Sequence, residues 1–285
     1  MTKVLVTGAN GQLGSALKAI AKAYKGVAFT YCTSGTLNIT NVYSIMKVIS
    51  SNSFDYCINC AAYTNVDKAE DNVEEAFAIN ALGVENLAIA CNNANITLIH
   101  ISTDFVFSGK QSYPYGEMEQ TEPLNIYGKS KLKGEKNIER HLSEYYTLRT
   151  SWLYSEFGTN FMKSMLKLGS EREKLSVVSD QVGSPTYAVD LAKFIIHLIQ
   201  NDTTEYGIYH YSNEGEASWY DFARAIFQKA DLKVALKPIQ SSEYPLRAKR
   251  PVYSVLDKTK LKKSFNIAIP HWKDSLDIAL KKNLL

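Results

Sequence analysis

Long apolar stretches are missing from this 285-residue sequence, which has no run of about 18 hydrophobic residues able to cross a bilayer. The opening MTKVLVTGANG lacks the apolar region of a secretory signal, so a soluble, cytoplasmic protein with no membrane partner is expected. Basic clustering is missing too. The net charge is +3 and the lysines are spread along the chain, whereas a nucleic-acid binder gathers them on one element. No nucleic-acid partner is expected. Cysteine is sparse, with Cys32, Cys57, Cys60 and Cys91 only. Cys57 and Cys60 form a CxxC inside FDYCINCAAY, but no second CxxC completes a zinc site. The surroundings read as a buried strand rather than the helix start or loop of a redox pair, so free thiols are expected. Repeats, low-complexity segments and exposed Pro/Gly/Ser linkers are also absent, which leaves one compact unit.

What is present is alternation. KVLVTGANGQLGSALKAIAKAY reads as strand, Gly-rich turn and helix, with helical spacing through Leu13, Leu17, Ile20 and Ala21. Further strands are expected at 27–32, 54–61, 96–102 and 145–151. Helices are expected at 42–51, at 73–93, and from YGKSKLKGEK onward. Almost wholly apolar strands such as ITLIHIS suit a parallel sheet covered on both faces. The fold class expected is α/β, a Rossmann-type doubly wound parallel sheet. Beyond about residue 152 the rhythm loosens into shorter elements. The division expected is therefore a dinucleotide-binding domain at 1–151 and a smaller substrate-binding α/β cap at 152–285, with the chain free to cross between them.

TGANGQLG places Gly8, Gly11 and Gly14 three apart, after a strand and opening a helix. Such glycines permit a tight turn and let backbone N–H groups approach a pyrophosphate at a helix N-terminus. The candidate cofactor-binding residues of this turn are Gly8, Asn10, Gly11, Gln12, Leu13 and Gly14. An acid that would hold an adenosine 2′-hydroxyl is missing from YCTSG (31–35). Thr33 or Ser34 could instead donate to a 2′-phosphate, with Asn38 or Lys3 nearby. NADPH is expected, or NADH as well.

The fourth strand ends in HISTDFVF, so Ser102, Thr103 and Asp104 are presented at the carboxyl edge of the sheet, where ligands bind. A long loop (103–125) follows, of a length more often functional than idle. NIYGKSKLKGEK then sets Tyr127 and Lys131 four apart on one helix face. Taken alone, the stretch reads more readily as a solvated basic helix through Lys129, Lys131, Lys133 and Lys136.

Together the TGxxGxxG turn, the strand-end hydroxyl and the YxxxK helix resemble the extended short-chain dehydrogenase/reductases. More narrowly, the chain is similar to the dTDP-4-dehydrorhamnose reductase family. GANGQLG, CAAYTNVDKAE, NALGVENLA, ISTDFVF, PLNIYGKSKLKGE, LRTSWLY, GTNFMKSML, LSVVSDQVGSPTY and RPVYSVLD carry the resemblance in order from residue 7 to 257. It implies hydride transfer to the C4 ketone of a nucleotide-linked 6-deoxyhexose. Tyr127 would be the general acid, its phenol pKa lowered by Lys131. Lys131 would reach the nicotinamide ribose, Thr103 would donate to the ketone, and Asp104 would bind sugar hydroxyls or tune Tyr127. Ala61, Ala62 and Tyr63 would cradle the adenosine and phosphates, and Asn38 and Ile39 would line the adenine, although family members commonly carry an acid where Asn38 stands.

Trp152, Asn160, Gln181 and Arg250 are the implied substrate contacts. The plainer readings are core packing for Trp152, a helix N-cap for Asn160, a loop hydrogen bond for Gln181 and a surface salt bridge for Arg250. Some relatives bind a divalent metal between subunits through glutamates, but Ser15 removes one ligand, so no metal is expected. The partner implied is a nucleotide sugar, with the protein a monomer or homodimer. Alternatives are a dinucleotide-binding regulatory subunit of the kind that serves methionine adenosyltransferase, or another nucleotide-sugar reductase or epimerase. A dehydratase is disfavoured because Phe105 follows Asp104 and cannot move a proton.

Overall fold

The computed structural model describes residues 1–283. In chain order the strands are β1 (Thr2–Thr7), β2 (Val27–Tyr31), β3 (Tyr56–Asn59), β4 (Thr97–Thr103), β5 (Tyr145–Thr150), β6 (Leu153–Tyr154), β7 (Lys174–Val178), β8 (Val182–Gly183), β9 (Thr186–Tyr187), β10 (Gly207–His210), β11 (Ala217–Ser218) and β12 (Ala235–Ile239). The α-helices are α1 (Gln12–Ile20), α2 (Val42–Ser50), α3 (Val66–Ala69), α4 (Val73–Phe77), α5 (Val84–Asn93), α6 (Ile126–His141), α7 (Phe161–Glu171), α8 (Ala188–Asn201), α9 (Trp219–Lys229), α10 (Thr259–Phe265) and α11 (Trp272–Asn283).

Six strands form one sheet in the order β10-β5-β4-β3-β1-β2, every neighbouring pair parallel. Strand order reverses at β1, which has β2 on one side and β3 on the other. In such a sheet the ligand crevice opens at that reversal, beyond the carboxyl ends of the strands. Successive residues of β1 serve opposite faces, as a two-residue period requires. Val4 and Val6 join the core that includes Leu17 of α1 and Ile195 of α8. Leu5 joins the other, with Ile45 of α2, Leu87 of α5 and Ile138 of α6. Both faces are covered, which is why the strands read as unbroken apolar runs.

Asparagines start several helices. Asn41, Asn65, Asn125 and Asn160 each accept a backbone N–H from the first turn of the helix that follows. Their short side-chain oxygens satisfy groups that would otherwise lack partners. The helix expected at 73–93 has a π-helical insertion, Ala78–Gly83, between α4 and α5. There it meets α6 so closely that a Cβ on Gly134 would lie 2.2 Å from the Asn80 carbonyl oxygen.

The sheet does not end where the rhythm loosens at 151/152. The chain returns with β10, which pairs with β5, and α8 packs on α1. The remaining short strands form two-stranded pieces, β7 with β12, β8 with β11 and β6 with β9. Among the described residues all four cysteines are free thiols, Cys57 lies within buried β3, and no group of three or more His, Cys, Asp or Glu gathers as for a metal. No described helix is long and apolar enough to cross a membrane.

Candidate functional site

The glycine turn leaves β1 with Gly8 at φ +61°, in the left-handed region that favours glycine. A Cβ there would sit 2.5 Å from the Ala61 nitrogen, and one on Gly14 would sit 2.6 Å from the Ala9 Cα. Gly11 is the N-cap of α1 and offers no capping side chain. The first N–H groups of α1 therefore remain available for an anion. This bare cradle at the strand-order reversal fits the pyrophosphate of a dinucleotide.

Around it, Asn10 is exposed, whereas the Leu13 side chain is buried in the core and leaves only its backbone to the cradle. Gln12 turns away: its Nε2 donates to the Leu153 carbonyl, and its Oε1 accepts from Ser155 Oγ and Asn160 Nδ2. Ala61, Ala62 and Tyr63 follow β3 at the same edge. The Ala61 N–H is held by Asn59 Oδ1 at 3.2 Å and the Tyr63 N–H by Asn80 Oδ1 at 2.8 Å. Asn80 also donates to the Tyr63 carbonyl and to Ser130 Oγ of α6. Asn38 is exposed and spends its Oδ1 on Thr40, while Ile39 is buried against Gly83. Thr33 and Ser34 lie just past β2, on the crevice side. Lys3 does not: it sits near the start of β1, at the opposite end of the sheet, and cannot reach a 2′-phosphate there.

Thr103 ends β4 and is buried. Its Oγ1 donates to Asp104 Oδ1 at 3.0 Å and accepts the Phe105 N–H at 3.1 Å, so it also caps the short turn that follows. Asp104 is 2% exposed and its Oδ2 makes no hydrogen bond. Burial pushes its carboxyl up to about 6, partly offset by the Ser254 and Thr103 hydroxyls. Tyr127 stands in the first turn of α6, its ring edge-on to Phe105. Three contacts fix that turn: Asn125 Oδ1 accepts the Gly128 N–H, Asn125 Nδ2 donates to the Lys249 carbonyl, and Glu70 Oε1 accepts the Ile126 N–H.

The expected depression of the Tyr127 phenol is not found. Burial pushes it up to about 12, the Thr103 hydroxyl draws it down, and the Asp104 charge adds to the rise. Lys131 does not lower it here because the end of its side chain points elsewhere: Nζ lies 2.6 Å from the Ile101 carbonyl oxygen and 3.2 Å from His100 Nε2. Lys131 is 2% exposed, and burial brings it down to about 8 against the opposing charge of Glu135. Lys129, Lys133 and Lys136 are exposed on the same helix.

One turn past Lys131, Glu135 forms a buried pair with Arg149 of β5. Neither this pair, nor Asn59, Asn80 or His100, stood out in the sequence. A lone polar residue within an apolar run, as in CINCA, NALG and LIHIS, was the available signal.

The expected substrate contacts divide. Trp152 has φ +47° and stacks on Trp219 at 3.6 Å, against Gly183. Asn160 caps α7, and its Nδ2 donates to Gln12 and to the Ser155 and Phe157 carbonyls. Gln181 Nε2 donates to Ser241 Oγ at 2.8 Å. Arg250 forms a two-pronged ion pair with Asp67, which holds that carboxyl below its usual range. All four thus have protein partners in this structure, Trp152 through its ring and the other three through polar groups.

The model of the RmlD substrate binding domain matches residues 1–284. The dTDP-4-dehydrorhamnose reductase of Aggregatibacter actinomycetemcomitans is 40% identical, with 97% of each chain covered. The spore coat polysaccharide biosynthesis protein SpsK of Bacillus subtilis is also 40% identical, over 97% of this chain and 96% of its own. Among solved structures, a dTDP-4-dehydrorhamnose reductase from Clostridium acetobutylicum is 39% identical, with TM-score 0.96 and all of both chains covered. One from Bacillus anthracis in complex with NADP is 40% identical, with TM-score 0.94, covering 99% of this chain and 100% of that one. The chain belongs to the dTDP-4-dehydrorhamnose reductase family.

Proposed function

We propose that the protein reduces the C4 ketone of dTDP-4-dehydro-L-rhamnose to give dTDP-L-rhamnose, using NADPH or NADH. The observation that carries this reading is the meeting of Thr103, Asp104 and Tyr127 at the carboxyl edge of a sheet whose strand-order reversal holds a bare glycine cradle. The reduced nicotinamide, when bound, supplies the hydride. Gly8, Gly11 and Gly14 would admit its pyrophosphate, with Ala61, Ala62 and Tyr63 lining the adenosine side.

As negative charge develops on the carbonyl oxygen, a donor must meet it. Tyr127 suits that task because its raised pKa keeps the phenol protonated at neutral pH, ready to give its proton to the oxygen. Thr103 Oγ1, held by the Phe105 N–H, would turn its one hydrogen from Asp104 Oδ1 to the ketone as a second hydrogen bond. The free Oδ2 of Asp104 would accept from a sugar hydroxyl. Lys131 in its charged form would hold the ribose and steady the phenolate left behind. The 1–151 part would carry the cofactor and the 152–285 part, with Trp152, Gln181 and Arg250, the sugar nucleotide, while Asn160 would serve as the cap of α7. The protein would work in the cytoplasm, as a monomer or homodimer.

Generating dTDP-4-dehydro-L-rhamnose in situ and following NADPH absorbance tests this directly. Turnover is expected, and no oxidation at high enzyme concentration refutes the activity. Tyr127→Phe should retain cofactor binding yet lose on the order of 10²- to 10⁴-fold in kcat. A near-normal rate would remove the tyrosine from its role.

A further inference from the structure

Behind Lys131 runs a line of buried polar side chains with no part in the proposed reaction. Thr7 of β1, Asn59 of β3 and His100 of β4 are all at most 1% exposed. Asn59 Oδ1 accepts from Thr7 Oγ1 at 2.7 Å and from the Ala61 N–H at 3.2 Å. A backbone N–H can only donate, so it fixes which end of the Asn59 amide is oxygen. Asn59 Nδ2 then faces His100 Nδ1 at 3.0 Å. An amide NH₂ also only donates, so Nδ1 must be bare. A neutral ring with a bare Nδ1 carries its hydrogen on Nε2. Burial alone, the larger cause, holds His100 well below its usual pKa, so the ring is neutral whether or not Lys131 carries its proton.

That Nε2–H points at Lys131 Nζ, 3.2 Å away. An ammonium has three donors and no lone pair to accept it. An uncharged amine has one lone pair for Nε2–H and a hydrogen for the Ile101 carbonyl at 2.6 Å. The groups around Nζ allow that state. Glu135, on the same helix, favours the ammonium, but its carboxylate is committed to Arg149 and to Ser102 Oγ. Cys60, beyond β3, is pushed up by burial and stays an uncharged thiol. Tyr127, also on α6, is an uncharged phenol.

We propose that His100, oriented by Asn59, is a positioning residue for Lys131: its Nε2–H donates to the uncharged lysine amine and parks it against the Ile101 carbonyl, a position the lysine leaves on taking up a proton. This rests on the reading of Lys131 as a working residue of the reductase, but its test needs no turnover.

Long-range ¹H–¹⁵N spectra of cofactor-free protein labelled on histidine nitrogen report the tautomer, with His100 assigned by its loss in His100→Phe. Above about pH 8, the lowered Lys131 value, the hydrogen should sit on Nε2. The His100 Nε2 signal should step at the lysine midpoint, and the step should vanish in Lys131→Met. In Asn59→Asp a carboxylate faces Nδ1 and should draw the hydrogen there, leaving Nε2 bare to accept from the ammonium. A hydrogen on Nδ1 in the unaltered protein at high pH, or no step at the Lys131 midpoint, overturns the proposal. So does an Asn59→Asp ring that keeps its hydrogen on Nε2. With His100 assigned, the wild-type spectra decide the matter even if Lys131→Met or Asn59→Asp fails to fold.

Discussion

Replacing Arg149 by methionine should be among the most damaging single changes to stability. Arg149 and Glu135 are 3% and 1% exposed, joined by Nη2 to Oε2 at 2.7 Å and by Nε to both carboxylate oxygens at 3.1 and 3.2 Å. The guanidinium also lies over the Phe107 ring at 5.2 Å and faces His210. Arg149→Met keeps much of the apolar packing but leaves the Glu135 carboxylate buried with Ser102 as its remaining partner. Breaking a buried pair from one side costs about 3–5 kcal/mol, most of it the penalty of an uncompensated charge. In a chain of roughly this size each kcal/mol moves the melting point by about 2–4 °C, so a fall of roughly 6–20 °C is expected. Thermal unfolding followed by circular dichroism reads it, with urea unfolding as a check on reversibility. The double variant Glu135→Leu/Arg149→Met removes both charges and should recover much of the loss. The reasoning fails if the single variant lies within about 1 kcal/mol of wild type, or if the double is no more stable than the single.

Three further outcomes follow from the geometry. Gly8→Ala forces an L side chain into φ +61° and against the Ala61 backbone, and should weaken NADPH binding by about tenfold or more in a fluorescence titration. For pH, Lys131 falls to about 8 in the folded chain from an ordinary 10.5. The folded state then binds fewer protons than the unfolded state between those values, and stability from this group rises with pH across that window. Lys131→Met should remove the rise, and kcat/KM for the cofactor in the unaltered enzyme should decline above about pH 8 as the ammonium is lost. Asn160→Ala deletes the cap of α7 and should cost about 0.5–2 kcal/mol of stability while leaving the KM for the sugar nucleotide near normal. A tenfold rise in that KM at unchanged stability would put the amide on the sugar instead.

Much of the sheet was legible because its strands are buried on both faces: TLIHIST and YCIN have no polar alternation to mislead the eye, and helices fall where 3.6-residue spacing predicts them. The turn at Gly8 was legible because its residues are adjacent in the chain. The electrostatics of Tyr127 were not. Spacing of four places Lys131 on the same helix face, but it does not tell where a flexible four-carbon stem ends, and in this structure the end lies with His100 and Ile101. Asn160 and Arg250 read in sequence either as substrate contacts or as a helix N-cap and a salt bridge. Their partners, Gln12 and Asp67, lie 148 and 183 residues away, a pairing no local pattern encodes.

The placement of β10 has a consequence for how the chain is made. Until residues 207–210 emerge, β5 is the outermost strand and its backbone N–H and C=O groups are unpaired on one side. An open parallel edge of that kind is a template for pairing with other chains. A nascent or truncated chain ending near residue 151 therefore carries the complete glycine turn and the Tyr127 helix on an unfinished sheet. The dinucleotide-binding half cannot complete its sheet during synthesis before α8 and β10 have been added.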